Sequence, residues 1–245
     1  MENTIVAVSF GTTHADAERD CIAPVEEALR RAFPGWNVRR AWTSRVICRR
    51  MGERGTPVQS EAEALAELRA SGGGRVVVAS THIIPGQEYD RVLSSAEGLP
   101  VSAPLLDTDG DLAWMAGLLS GIAQEEERTL LVMGHGTEHR ANAAYARLRE
   151  KLPGSVKLAC VEGDLSLEGI MGELEAVPGK KLTLMPMMLV AGDHARNDLA
   201  GPDGDSWKSR LEARGFDVRV RLQGLGALEA VRARFVEKVR ATMEA

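Results

Sequence analysis

Strand-like and helix-like segments alternate along the whole of this 245-residue chain, and that alternation restricts its fold more than any other feature. Apolar runs at 4–10, 37–43, 75–80 and 100–103 read as strands, with helical patterns over 15–32, 60–70, 87–96 and 112–124. The second half repeats the scheme. Its strands are expected near 129–133, 156–161, 181–187 and 217–222, and its helices near 142–151, 167–176, 206–214 and 227–243. Such an order implies parallel strands joined by right-handed crossovers, an α/β fold.

The halves also resemble each other in detail. GTTH at 11–14 is echoed by GTEH at 136–139, and VVVASTHIIPGQE (76–88) lies over LTLMPMMLVAGDH (182–194) without gaps. That overlay pairs Gly86 with Gly192 and Glu88 with His194. The reading is two similar halves, each a mainly parallel sheet of about four strands flanked by helices, facing each other across a cleft. The division is expected in the charged stretch 124–128, giving residues 1–125 and 126–245, with the C-terminal helix able to pack back on the first half.

Bulk properties narrow the class. A formal net charge of −5 argues against a general phosphate-binding surface, and 4% aromatic residues disfavours base stacking, so no nucleic-acid partner is expected. Cys21, Cys48 and Cys160 are odd in number and far apart, which fits reduced thiols in a reducing compartment rather than disulfides or a zinc-thiolate site. The opening MENTIVAVSFGTT lacks a basic leader and is too short for a membrane span; the expectation is a cytoplasmic protein with no membrane association. A homo-oligomer is left open.

Three residues stand where an open α/β sheet places its ligands, just past the carboxyl ends of strands. His135 lies in LLVMGHGTEH (130–139), Glu162 in VKLACVEGD (156–164) and His194 in LTLMPMMLVAGDHARND (182–198). Two imidazoles and a carboxylate suit a first-row divalent metal. Glycines on both sides of His135 allow close approach of backbone or ligand. His135 to His139 also spells HxxEH, but that peptidase pattern needs a continuous helix and the glycines break it, so His139 reads as a capping residue. In the first half Thr12, Ser44, Arg45, His82 and Glu88 occupy matching strand ends; a hydrogen-bonded core role for His82 competes evenly with a binding one. Arg45 and Arg196 are the cations best placed for substrate carboxylates, which guanidinium grips bidentately. No phosphate-binding loop or nucleophile elbow is present.

Six strings carry a family resemblance: FGTTHADA (10–17), RRAWTSRVI (39–47), THIIPGQEYD (81–90), VMGHGTEHRANAAYARL (132–148), VEGD (161–164) and MPMMLVAGDHARNDLAGPDGDSWKSRLEARGF (185–216). Together they resemble the anaerobic sirohydrochlorin cobaltochelatases, class II tetrapyrrole chelatases, over nearly the whole chain. The resemblance implies two Rossmann-like halves and insertion of Co²⁺ into sirohydrochlorin without an organic cofactor. It implies metal-binding and catalytic roles for His135 and His194, a metal-binding role for Glu162, and a catalytic carboxylate at Glu88. Thr12, Ser44, Arg45, His82 and Arg196 are then the substrate-binding candidates. Trp42 and Gln87 depart from the family's usual phenylalanine and acidic residue. Insertion of Fe²⁺ or Ni²⁺, and a non-catalytic metal or tetrapyrrole carrier, are the competing readings.

Overall fold

The computed structural model describes residues 2–72 and 74–245. It divides into two compact units, one running to Leu105 and including Gly226–Ala245, the other Leu106–Leu225. In the first, β1 (Asn3–Ser9), β2 (Trp36–Trp42) and β3 (Val76–Ser80) form a parallel sheet of order β2-β1-β3. The central strand β1 is apolar on both faces, as a sheet covered on both sides requires. Ile5 and Ala7 pack with Leu29, Phe33 and Val239, while Val6 and Val8 pack with Leu65, Val92 and Ala96. Successive side chains of one strand thus serve two different helix layers.

The second unit holds β4 (Thr129–Gly134), β5 (Val156–Cys160), β6 (Lys181–Pro186) and β7 (Asp217–Val220), all parallel, in the order β5-β4-β6-β7. Leu131, Met133, Leu182 and Leu184 bury one face against Ile170, Leu174, Trp207 and Leu211. Each unit is therefore a Rossmann-like α/β layer structure, in agreement with the alternation in the sequence.

Four details differ from the sequence expectations. Residues 100–103 supply a single bridge, Val78 to Val101, instead of a fourth strand in the first unit. Pro100 there has no N–H to give; its carbonyl accepts from Val78 N at 2.8 Å, and Ser102 N closes the bridge on Val78 O. A helix at Arg45–Glu53 follows β2 directly, started by Ser44, whose Oγ accepts from Ile47 N. The long first helix is interrupted by a π-type turn at Glu18–Ile22 just before Pro24, which cannot donate the normal helical hydrogen bond. Finally, the units divide after Leu105. The helix Asp109–Glu126, capped by Thr108 and Asp111, packs on β4, and the last helix, Glu229–Glu244, packs on β3 and on the helix Ala23–Ala32. Among the described residues no helix is long and apolar enough to cross a membrane.

Candidate metal centre

The second unit brings His135, Glu162 and His194 together at the carboxyl ends of β4, β5 and β6. Past Gly134 the β4–β5 pairing continues for two more hydrogen bonds, Val161 N to Gly134 O at 3.0 Å and Glu162 N to His135 O at 2.9 Å. This extension is what sets Glu162 beside His135. It needs Gly136, whose φ is +78° and whose missing Cβ would stand 1.9 Å from the Glu162 carbonyl oxygen. Gly134 serves side-chain packing instead, since a Cβ there would meet Cys160 Sγ and the Tyr145 ring, both at 2.9 Å.

Tyr145 is buried under this loop. Burial holds its phenol well above the usual range, so the hydroxyl stays protonated. Cys160 is also buried, and its thiol is pushed up to about 12; it is a neutral packing group, not a thiolate ligand.

The imidazoles of His135 and His194 meet edge to face, with centroids 4.7 Å apart and planes at 88°. Nδ1 of His135 lies 2.8 Å from Gly136 O, and Nδ1 of His194 lies 2.7 Å from Asp198 Oδ2. The Glu162 carboxylate comes within 3.9 Å of His135 Nδ1. Both rings and the carboxylate are partly exposed and open to a ligand. Among the described residues no three His, Cys, Asp or Glu side chains form a ready-made metal cage. Glu162 faces Nδ1 of His135, the nitrogen already engaged by the Gly136 carbonyl.

The remaining candidates are placed as follows. His139 caps the short 3-10 turn Arg140–Asn142, accepting from Ala141 N, and residues 135–139 form a loop in which the HxxEH helix does not exist. Arg196 donates Nε to Ala191 O at 3.1 Å. In the first unit Thr12 is buried and accepts from His14 N, and Ser44 is the helix cap already described. His82 contacts Ser80 Oγ through Nδ1 and Thr43 Oγ1 through Nε2, and burial lowers its pKa to about 4. Glu88 pairs with Arg91 at 2.9 Å. Arg45 is half exposed and gives one nitrogen to Glu61, a fully buried carboxylate that also accepts from Ser95 Oγ. Four more guanidinium hydrogens of Arg45 remain for other partners.

Two residues of the centre escape a reading of the sequence, Tyr145 and Asp198. The second leaves a readable trace, since a carboxylate four residues after a histidine shares its helical face. A buried tyrosine under a loop leaves none.

This arrangement of His135, Glu162 and His194 lies in a chain that matches the cobalt chelatase (CbiK) family over residues 3–244. The chain belongs to the cobalt chelatase family. It is 35% identical to the sirohydrochlorin cobaltochelatase of Salmonella typhimurium, over 96% of this chain and 94% of that protein. It is 34% identical to the sirohydrochlorin cobaltochelatase CbiKC of Nitratidesulfovibrio vulgaris, over 92% of this chain and 85% of that protein. The family match spans both units, so the histidine-bearing unit and its companion belong to one inherited cobalt chelatase chain.

Proposed function

We propose that this chain is a sirohydrochlorin cobaltochelatase, inserting Co²⁺ into sirohydrochlorin with release of two protons, in the early-cobalt branch of cobalamin biosynthesis. The observation that carries this reading is the edge-to-face pair His135–His194 beside Glu162, in a chain of the cobalt chelatase family.

The physical problem is to strip water from the ion while the macrocycle loses two pyrrole protons. His135 and His194 take Co²⁺ from its aquo shell with imidazole nitrogen, and Glu162 adds an oxygen after a change of rotamer. An incomplete cage suits such a transfer. A centre that filled every coordination position would hold the ion against the macrocycle, whereas one with open positions can pass it on. The neutral Cys160 thiol leaves only nitrogen and oxygen donors, which bind this ion less tightly than thiolate. Glu88 is the carboxylate that carries pyrrole protons away, and Arg45 and Arg196 meet the substrate's carboxylates, with Thr12, Ser44 and His82 as further substrate contacts. No organic cofactor is needed, since the reaction is neither a redox nor a group transfer step. A cytoplasmic setting fits Cys21, Cys48 and Cys160, which form no disulfide with one another.

Imidazole and carboxylate discriminate poorly among neighbouring divalent ions. Competition of Co²⁺ with Fe²⁺ and Ni²⁺ in one reaction therefore decides the preferred metal. The deciding experiment mixes purified protein, sirohydrochlorin and Co²⁺ without oxygen and follows the macrocycle's absorbance. Catalytic turnover is expected, falling to the uncatalysed rate in His135→Ala and in His194→Ala with circular dichroism unchanged. Stoichiometric binding without turnover would make the chain a carrier and overturn the assignment.

A further inference from the structure

Asp198 has no part in the reaction described so far, yet its carboxylate makes a direct contact to His194. A neutral imidazole carries one N–H, and an ionised carboxylate can only accept. At 2.7 Å from a carboxylate oxygen, Nδ1 of His194 is the donating nitrogen, and in the neutral ring Nε2 then holds the lone pair. The spacing is i,i+4 across the π-type turn Ala195–Leu199, and π turns recur where a helix is bent to serve a site. His135 reaches the same tautomer by another route, through the Gly136 carbonyl.

We infer that Asp198 is a positioning residue that fixes His194 as the tautomer whose Nε2 receives the metal. The inference rests on the proposed metal-receiving role of His194. A ligating histidine ordinarily gives its second N–H to a carboxylate or carbonyl, which orients the ring and raises its basicity as a donor. The two rings are thereby unequal. His135 is oriented by a neutral carbonyl, while His194 has a charge-assisted bond, the stronger kind. His194 is accordingly the better donor of the pair, with Asp198 acting through it and not on the ion. Because Asp198 is 46% exposed, the bond adds little to folding stability and its loss should be read in metal binding.

The test uses the full-length chain labelled with ¹⁵N at its five histidines, metal-free, with His194 assigned by loss of its signals in His194→Gln. Long-range ¹H–¹⁵N correlation should show the Nδ1–H tautomer for His194, shifting toward Nε2–H in Asp198→Ala. Titration with Co²⁺ alone, followed by its visible absorbance, should show affinity falling roughly 10- to 100-fold in Asp198→Ala, on the order seen when the partner of a ligating histidine is removed. Asp198→Asn keeps an acceptor oxygen and should fall between the two. A wild-type His194 in the Nε2–H form, or an Asp198→Ala affinity within about twofold of wild type, would overturn the role. The expected tautomer in a wild type that does not bind Co²⁺ would instead support the orienting bond and sink the metal reading beneath it.

Discussion

Gly136→Ala puts the geometry of the centre under the most direct strain. The added methyl would stand 1.9 Å from the Glu162 carbonyl oxygen and 2.7 Å from its carbon. Both atoms are backbone, so no rotamer change relieves the clash. The left-handed φ of +78° costs an L-residue about 1–2 kcal/mol by itself. Moving the chains apart also breaks or weakens the bonds Val161 N to Gly134 O and Glu162 N to His135 O, each worth about 1 kcal/mol net. The expected destabilisation is about 3–4 kcal/mol, a large part of a typical domain's stability but short of all of it. Urea unfolding followed by circular dichroism measures it, with Gly154→Ala as the control. Gly154 has open space around it and no left-handed φ, so alanine there should be neutral or stabilising by up to about 1 kcal/mol. Because the same shift moves Glu162 away from His135, Co²⁺ affinity of the Gly136 variant should drop as well. A loss of stability below about 1 kcal/mol with unchanged Co²⁺ binding would refute strand-to-loop crowding as the reason for glycine at this position.

Three further outcomes follow from the titrations and pairs described. His82 has a folded-state pKa of about 4 against an ordinary 6.5, so below pH 6.5 the unfolded chain takes up a proton that the native one refuses. Its neutral burial therefore favours the native state fully above pH 6.5 and progressively less down to pH 4, by up to about 3 kcal/mol; His82→Gln should lose that part of the acid sensitivity, and equal pH slopes in the two proteins would contradict it. Cys160→Ala should leave Co²⁺ stoichiometry unchanged, and the wild-type thiol should resist alkylation at about pH 8, since burial keeps it protonated to about 12; rapid labelling would show a thiolate. Arg45→Ala strands the buried Glu61 carboxylate and should cost about 1–3 kcal/mol, the lower end reflecting the half-exposed guanidinium, with Arg45→Ala/Glu61→Gln recovering most of it in urea unfolding.

Much of the fold and of the centre is legible in the residues alone. Period and strand order give both parallel sheets because buried strands such as TIVAVS leave a continuous apolar run that few other elements produce. The convergence of His135, Glu162 and His194 is legible for a topological reason, as each follows a strand of one sheet. What stays hidden depends on contacts between distant residues or on local hydrogen bonding. Residues 100–103 carry a strand-like apolar pattern, but Pro100 leaves the ladder without a donor. The helix Arg45–Glu53 begins two residues after β2, and its cap at Ser44 rests on a local hydrogen bond from Ile47 N that the sequence does not display. The division after Leu105 depends on which sheet the helix Asp109–Glu126 covers, and local composition at 124–128 says nothing about that. Likewise Ser44, Arg45, His82 and Glu88 sit at strand ends as expected, yet each already has a partner within the protein.

Cobalt K-edge X-ray absorption on the Co²⁺-loaded protein, before the macrocycle is added, tests the metal centre most directly. Two imidazole nitrogens with their outer-ring scattering and one carboxylate oxygen are expected, with the imidazole signal halved in either His135→Ala or His194→Ala. Sulfur in the coordination shell, or a shell of water oxygens alone that neither substitution alters, would contradict the assignment of His135, His194 and Glu162 as the residues that receive the ion.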